Sequence, residues 1–159
     1  MIRGWQRAGA WAALFGSNLS SADYPRPNVI YAAKPEPVIK KGKFSHRPFE
    51  TSTPLTERLQ LTLRADYGVS QEHELADEIK KLTGVVIVFW EHKAIVTDLI
   101  PALKGSQIIP GVPTKWDGDR FDVALRFDRA VPDAPWSFRQ LCPRLMSGDS
   151  DEPFSERES

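Results

Sequence analysis

The stretch Val85-Val86-Ile87-Val88-Phe89-Trp90 decides how the rest of this sequence is interpreted. Its β-branched residues predict a strand, and because it contains no polar residue, both faces of that strand are expected to be buried, as in a parallel sheet. A helical pattern follows at once and ends at Gly105. The apolar positions of that helix, all on one face, are Ile95, Val96, Leu99, Ile100 and Leu103.

Patterns of helix and strand alternate on both sides of this stretch. Residues 4–15 carry apolar residues at helical spacing, residues 28–33 form a short apolar strand, and Ser70 can cap the helix that follows it. Further on, residues 121–127 alternate between apolar and polar, and residues 136–141 are a plausible last edge strand. The alternation predicts an α/β fold, a three-layer sandwich with a mainly parallel sheet.

Length and composition predict one domain over residues 1–146 and a disordered, Ser-, Asp- and Glu-rich tail over residues 147–159. Basic and acidic residues both total 21, and this zero net charge argues against binding to nucleic acid. No apolar run reaches the ~20 residues that cross a bilayer, so no membrane partner is expected. The single cysteine, Cys142, excludes an intrachain disulfide and a cysteine metal cluster, and it suits a cytoplasmic location.

Two residues fall where an open α/β sheet binds ligands, beyond the carboxyl ends of strands. His92 opens the helix after Trp90, and Arg47 precedes Pro48, which suits the first position of another helix. Helix starts favour anions, an arginine offers a fork of donors to phosphate, and a histidine donates or transfers a proton. The pair is therefore a candidate phosphate site. Taken singly, His92 is more typical of a capping or packing residue and Arg47 of a surface ion-pair partner.

Three segments in this order resemble signatures of the histidine phosphatase (phosphoglycerate mutase-like) superfamily. Residues 3–8 (RGWQRA) resemble the R-G-x-x-Q-A start of the family's first helix, and residues 47–51 (RPFET) are similar to its R-x-x-[EQ]-T signature. Residues 90–95 (WEHKAI) look like the strand-end segment that supplies the second pocket histidine. Residues 119–123 (DRFDV) are similar to a late strand of small bacterial-type members, so the likeness extends over residues 1–144.

The resemblance implies hydrolysis of a phosphate monoester through a phosphohistidine, with no metal and no cofactor. In the family, the histidine of an Arg-His-Gly motif takes the phosphoryl group, while two arginines and a second histidine stabilise its charge. A carboxylic acid protonates the leaving oxygen. Carried over to this chain, Arg47 holds the phosphate, His92 is the second pocket histidine, and Glu91 is a candidate acid beside Glu72 and Glu74.

The sequence departs from the family at the nucleophile, because no Arg-His-Gly occurs in it. We therefore expect that the family's first strand, with the nucleophile and the first phosphate arginine, is missing from this chain. His46 lies in the Arg47 segment and not at a strand end, which argues against it as a substitute nucleophile. In the family the missing strand lies beside the strands assigned here to Val29 and Val85, so we expect an open sheet edge there.

Three interpretations follow. The chain is a fragment of a phosphatase that starts upstream, with small or exposed phosphoesters as its substrates. Alternatively, it is a non-catalytic relic that binds a phosphorylated small molecule through Arg47 and His92, or that binds a protein partner or a second copy through its sheet edge. The third interpretation is a truncated reading frame without a stable fold. The motifs favour histidine phosphatase ancestry, and the missing nucleophile favours a pseudoenzyme for the chain as written.

Overall fold

A computed structural model describes residues 2–17, 22–35, 47–118 and 120–154, apart from the side chains of Ile2 and Arg47. Its elements are α1 (Ile2–Phe15), β1 (Val29–Ala32), α2 (Arg47–Leu59), α3 (Glu72–Lys80), β2 (Val86–Phe89), α4 (His92–Ala94), a π-helical turn (Ile95–Leu99), α5 (Ile100–Lys104), β3 (Ala124–Asp128) and β4 (Ser137–Leu141). Helices and strands are thus mixed, which confirms the predicted α/β class.

The chain divides into two compact units. The first consists of Met1–Gln71 and Thr83–Glu91, and the second of Glu72–Leu82 and His92–Ser159. The described strands form two separate two-stranded sheets, one in each unit: the first is parallel and the second antiparallel. In place of the single, mainly parallel sheet that the sequence predicts, the described residues form one parallel pair and one antiparallel pair.

A parallel strand pair forms the centre of the first unit. β1 and β2 pair from Val29↔Val86 to Ala32↔Phe89. The opposite edge of β1 makes a short bridge with Arg64, whose N–H donates to the Ile30 oxygen and whose oxygen accepts from the Ala32 N–H, both at 3.0 Å. β1 is therefore bonded along both edges, and within the described ranges an open edge remains only on the outer side of β2.

The register of this pair is set where β2 begins. Gly84 adopts a φ of +86°, and a Cβ built on it would lie 2.5 Å from the side-chain oxygen of Asn28. That same oxygen accepts the backbone N–H of Val85, and the Val85 oxygen in turn accepts the Asn28 N–H at 2.9 Å. Glycine is needed here because other residues disfavour positive φ and would also displace the Asn28 side chain.

Burial differs sharply between the two paired strands. Ile30, Tyr31 and Ala32 of β1 are buried, whereas all four residues of β2, Val86–Phe89, are only half-buried. The prediction that both faces of this apolar stretch are buried is therefore wrong. The reason is position: β1 lies between two backbone partners, while β2 has one among the described residues.

Two helices complete the first unit. α2 packs against α1 and against both strands. Leu55 and Leu59 supply its apolar contacts, and α2 continues through Pro54 without a break. At the end of α1 the Arg58 side chain donates to the oxygen of Gly16 at 3.1 Å, which links α2 to the turn that follows α1.

The second unit begins with α3, which packs on α5 and on the π-helical turn. Pro101 explains that turn, because proline has no N–H to donate and its ring clashes with the carbonyl four residues earlier. The helix widens just before it, and the N–H of Ile100 donates to the oxygen of Ile95, five residues back. The predicted helix after β2 is thus formed as three successive segments, with the irregularity at the proline.

The hairpin of β3 and β4 is antiparallel, paired from Ala124↔Leu141 to Asp128↔Ser137. Only residues 129–136 connect the two strands, whereas a parallel pair needs a crossover of a dozen residues or more. Both strands were expected from the sequence, and the short connection is what makes their pairing antiparallel.

Residues 147–154, the described part of the segment expected to form the tail, contact the rest of the second unit. Phe154 is held by the side-chain amide of Gln140, which accepts from its N–H at 2.8 Å and donates to its oxygen at 3.2 Å. The Phe154 ring also packs on Trp116, with ring centroids 5.0 Å apart. An apolar anchor at Phe154 thus holds residues 147–154 against the second unit, and residues 155–159 lie outside the described residues. None of the described helices is long and apolar enough to span a membrane.

Replacing Leu55 with alanine is expected to lower the free energy of unfolding by about 2–5 kcal/mol, because it leaves a cavity at a position with no solvent exposure. The matched control is Ile108→Ala, at a side chain 89% exposed, with an expected change within about 0.5 kcal/mol. Urea unfolding followed by tryptophan fluorescence measures both. Equal losses at the two positions would contradict this packing.

Candidate functional site

The carboxyl ends of β1 and β2 lie at the same edge of the first unit because the strands are parallel. Backbone pairing continues just beyond them, since the Ala33 N–H donates to the Phe89 oxygen at 3.0 Å and the Lys34 N–H donates to the Tyr67 oxygen at 2.8 Å. This is the edge at which ligands bind in open α/β sheets. Trp90, the residue directly after β2, is buried.

Arg47 is the first residue of α2, as the sequence predicts. α2 contacts both strands of the parallel pair. It is therefore fixed against the sheet whose carboxyl edge is the expected place for a ligand. The side chain of Arg47 and the whole of His46 lie outside the described residues. The phosphate-binding role of Arg47 stays a prediction.

His92 is the first residue of α4, three residues after β2 ends, also as predicted. Its ring is half-buried, and its centroid lies 6.3 Å from that of Trp116 at a tilt of 41°. His92 belongs to the second unit, whereas Arg47 belongs to the first.

The candidate acids occupy three different environments. Glu91, the last residue of the first unit, is half-buried, and Glu74 in the first turn of α3 is exposed. Glu72, the first residue of α3, is buried. Carboxylates at a helix start are favoured by the helix dipole, which accounts for Glu72 and Glu74 without any catalytic role.

A charged cluster that the sequence interpretation did not single out holds the end of the described chain. Arg120 donates from Nε to one carboxylate oxygen of Asp122 at 2.9 Å and from Nη2 to the other at 3.4 Å. Its remaining donors reach the backbone oxygens of Glu152 at 2.9 Å and Ser150 at 3.3 Å. Asp122, 2% exposed, is thereby neutralised, and Arg120 fastens the segment that ends at Phe154.

Electrostatics in this cluster favour a structural role. The hydrogen bond to Asp122 raises the pKa of the Arg120 guanidinium. Burial raises the pKa of the neighbouring Cys142 thiol, and Arg120 offsets part of that rise. Because the thiolate is the nucleophilic form, a raised pKa makes Cys142 a poor nucleophile at neutral pH. The sequence signal for the cluster was the spacing of Arg120 and Asp122, two residues apart, which places both side chains on one side of an extended segment.

Metal ligands are not grouped in the part of the chain that is described: no three His, Cys, Asp or Glu side chains there are placed to hold an ion.

Replacing Arg120 with glutamine is expected to release residues 147–154, because the bonds to Ser150 and Glu152 and the neutralisation of Asp122 are lost together. Hydrogen exchange of these residues, read by mass spectrometry, should rise well above that of the parent chain. Arg139→Gln, an exposed arginine on β4, is the control and should leave the exchange unchanged. Unaltered protection in Arg120→Gln would show that Phe154 alone anchors the segment.

The raised pKa of Cys142 predicts slow alkylation. At pH 8.5 iodoacetamide should react more slowly with the folded chain than with the same chain in urea, because the folded state favours the protonated thiol. By the same linkage, the contribution of this thiol to stability is present below its unfolded pKa and falls as the pH rises through the higher, folded value. Faster reaction of the folded chain would contradict the assignment.

Comparisons with protein family models, with curated proteins and with solved structures find no match to this chain. The likeness to the histidine phosphatase superfamily therefore rests on the residues of segments 3–8, 47–51 and 90–95. What that likeness implies about function is carried forward as a proposal.

Proposed function

We propose that this chain is a histidine phosphatase-like domain that binds the phosphate group of a small phosphorylated molecule through Arg47 and His92, without hydrolysing it. The observation that carries the proposal is the position of the three resembling segments. Residues 3–8 lie in α1, Arg47 opens α2, and His92 opens the helix after β2. These positions support the proposal, because they are the ones that the resemblance implies for the three segments.

The proposed fold is a phosphoglycerate mutase-like three-layer sandwich. The parallel pair with α2 packed on it supports this proposal, since a strand layer covered by a helix is what two of the three layers of such a sandwich would contain. The binding chemistry is that of an arginine fork and an imidazole, each at the start of a helix where the dipole favours an anion. It needs neither a metal nor a cofactor.

The non-catalytic part of the proposal assigns no phosphohistidine to residues 1–159, because they contain no Arg-His-Gly. Glu91 and Glu72 would then have no leaving group to protonate. The half-buried, apolar β2, with an open outer edge among the described residues, favours a second candidate function: binding of an extended strand from a protein partner or a second copy.

Inorganic phosphate at 10 mM is expected to raise the melting temperature of the chain. A dissociation constant of ~1 mM would add about 1.4 kcal/mol, which is a shift of a few degrees for a chain of this size. Arg47→Ala and His92→Gln should abolish the shift, while the matched controls Arg26→Ala and His73→Gln, both at exposed positions, should keep it. Differential scanning fluorimetry against equal ionic strengths of sodium chloride measures the effect.

Two outcomes would overturn the proposal. A phosphate shift that survives both Arg47→Ala and His92→Gln would remove the proposed ligand pair, and no shift at all in the parent chain would leave strand binding at β2 as the remaining candidate. Turnover of p-nitrophenyl phosphate that is lost in His46→Asn would contradict the non-catalytic part, because it would identify a nucleophile outside the expected motif.

A further inference from the structure

A cleft with a volume of about 440 Å³ lies within the second unit. It is formed by the end of α3, the last turn of α5 with the loop that follows, and the loop between β3 and β4. Its charged lining residues are Lys80, Lys104, Arg129 and Asp133. Because three of these four are cations, we call it the basic cleft. The volume is in the range that accommodates a small organic molecule.

The walls of the basic cleft are held together by the side chain of Gln107, which makes two hydrogen bonds to the backbone of another loop, as a neighbouring strand would. The Gln107 amide donates from Nε2 to the Trp136 oxygen at 2.8 Å and accepts the Trp136 N–H at 2.9 Å. Lys104 donates to the backbone oxygen of Gln107 at 3.2 Å. The Trp136 ring also meets Phe127 of β3 edge-on, with centroids 6.4 Å apart. Two loops that are distant in sequence are thus held together before any ligand binds.

Arg129 is the most constrained cation in the cleft. Its guanidinium lies over the Trp136 ring, 4.5 Å from the centroid, and one Nη donates to the backbone oxygen of Lys80 at the end of α3. Among the described residues its other N–H groups have no acceptor. Stacking and one hydrogen bond therefore fix the plane of the guanidinium and leave donors available, which is the arrangement that binds carboxylate or phosphate oxygens in pairs.

The charge balance of the cleft favours an anion, because three cations face one carboxylate, Asp133. Within the described ranges Lys80 makes one long ion pair, with Asp77 at 3.8 Å, and Asp77 is 69% exposed, so water screens the pair. Lys80 and Lys104 also lie in the last turns of their helices, where cations are favoured by the helix dipole. The dipole explains those two lysines, but not the preformed walls or the unused donors of Arg129.

We propose that the basic cleft binds a small organic anion with two or more carboxylate or phosphate groups, with Arg129 taking one group and Lys104 and Lys80 the others. Neither Arg47 nor His92 lines this cleft, so the inference is independent of the proposed function. Carboxylates and phosphates both present paired, negatively charged oxygens to these cations. A polycarboxylate probe and a phosphate probe therefore distinguish which of the two kinds of ligand binds.

Isothermal titration of the full chain with citrate and with pyrophosphate, at constant ionic strength, tests the proposal. At least one of the two should bind. Arg129→Ala should weaken that binding about tenfold or more, the effect of losing a charge-assisted hydrogen-bond pair. Lys104→Met keeps the alkyl stem and leaves the Gln107–Trp136 pair in place, although it loses the bond to the Gln107 oxygen. It should weaken binding in the same direction, so the test survives if Arg129→Ala does not fold.

Lys115→Met is the matched control, since Lys115 is exposed in the same unit and outside the cleft lining. It changes the net charge equally and should leave binding unchanged. A loss in Lys115→Met as large as that in Lys104→Met would show a general charge effect and overturn the inference. Binding lost in Arg47→Ala but kept in Arg129→Ala would overturn it as well, while supporting the proposed function.

Discussion

The parallel hydrogen bonds between β1 and β2 are the constraint on which the first unit depends. Asn28 and Gly84 fix where this pairing begins, and the pairing in turn fixes which edge receives the carboxyl ends of both strands. α2 is held on the same pair. Because the strands pair directly, no unpaired groove separates them, and β1 obtains its second partner from Arg64. Among the described residues, β1 is thus bonded along both edges, while the outer edge of β2 has no strand partner.

Much of the second unit is loop, so its backbone groups need partners other than neighbouring strands. Loops have backbone groups that no strand partner satisfies, and here side chains take that role. Gln107 pairs with Trp136 and Gln140 with Phe154, each through both its oxygen and its nitrogen, and Arg120 binds the backbone of Ser150 and Glu152. These contacts give the segment ending at Phe154 a defined path. They also preform the basic cleft.

The proposed ligand residues differ from the structural ionic cluster in where their donors are directed. The proposed phosphate ligands Arg47 and His92 each begin a helix, where the local backbone already favours an anion. Arg120, Asp122 and Cys142 form the most conspicuous ionisable cluster, yet its donors are directed to the chain's own backbone and its thiol stays protonated. A concentration of charge by itself therefore identifies the structural cluster around Arg120. Donors without an acceptor among the described residues, such as those of Arg129, indicate a ligand site instead.

The sequence by itself determined the features that depend on neighbouring residues. The period of the apolar residues predicted the strand at 85–90 and the helix after it, and the strand end placed His92 at a helix start. The alternation at residues 121–127 and the stretch at 136–141 predicted the two later strands, but not their antiparallel pairing. What only the tertiary structure decided was which groups have distant partners. The half-exposure of β2, the Gln107–Trp136 pairing and the ordered path to Phe154 join residues far apart in the chain, and no local period encodes such contacts.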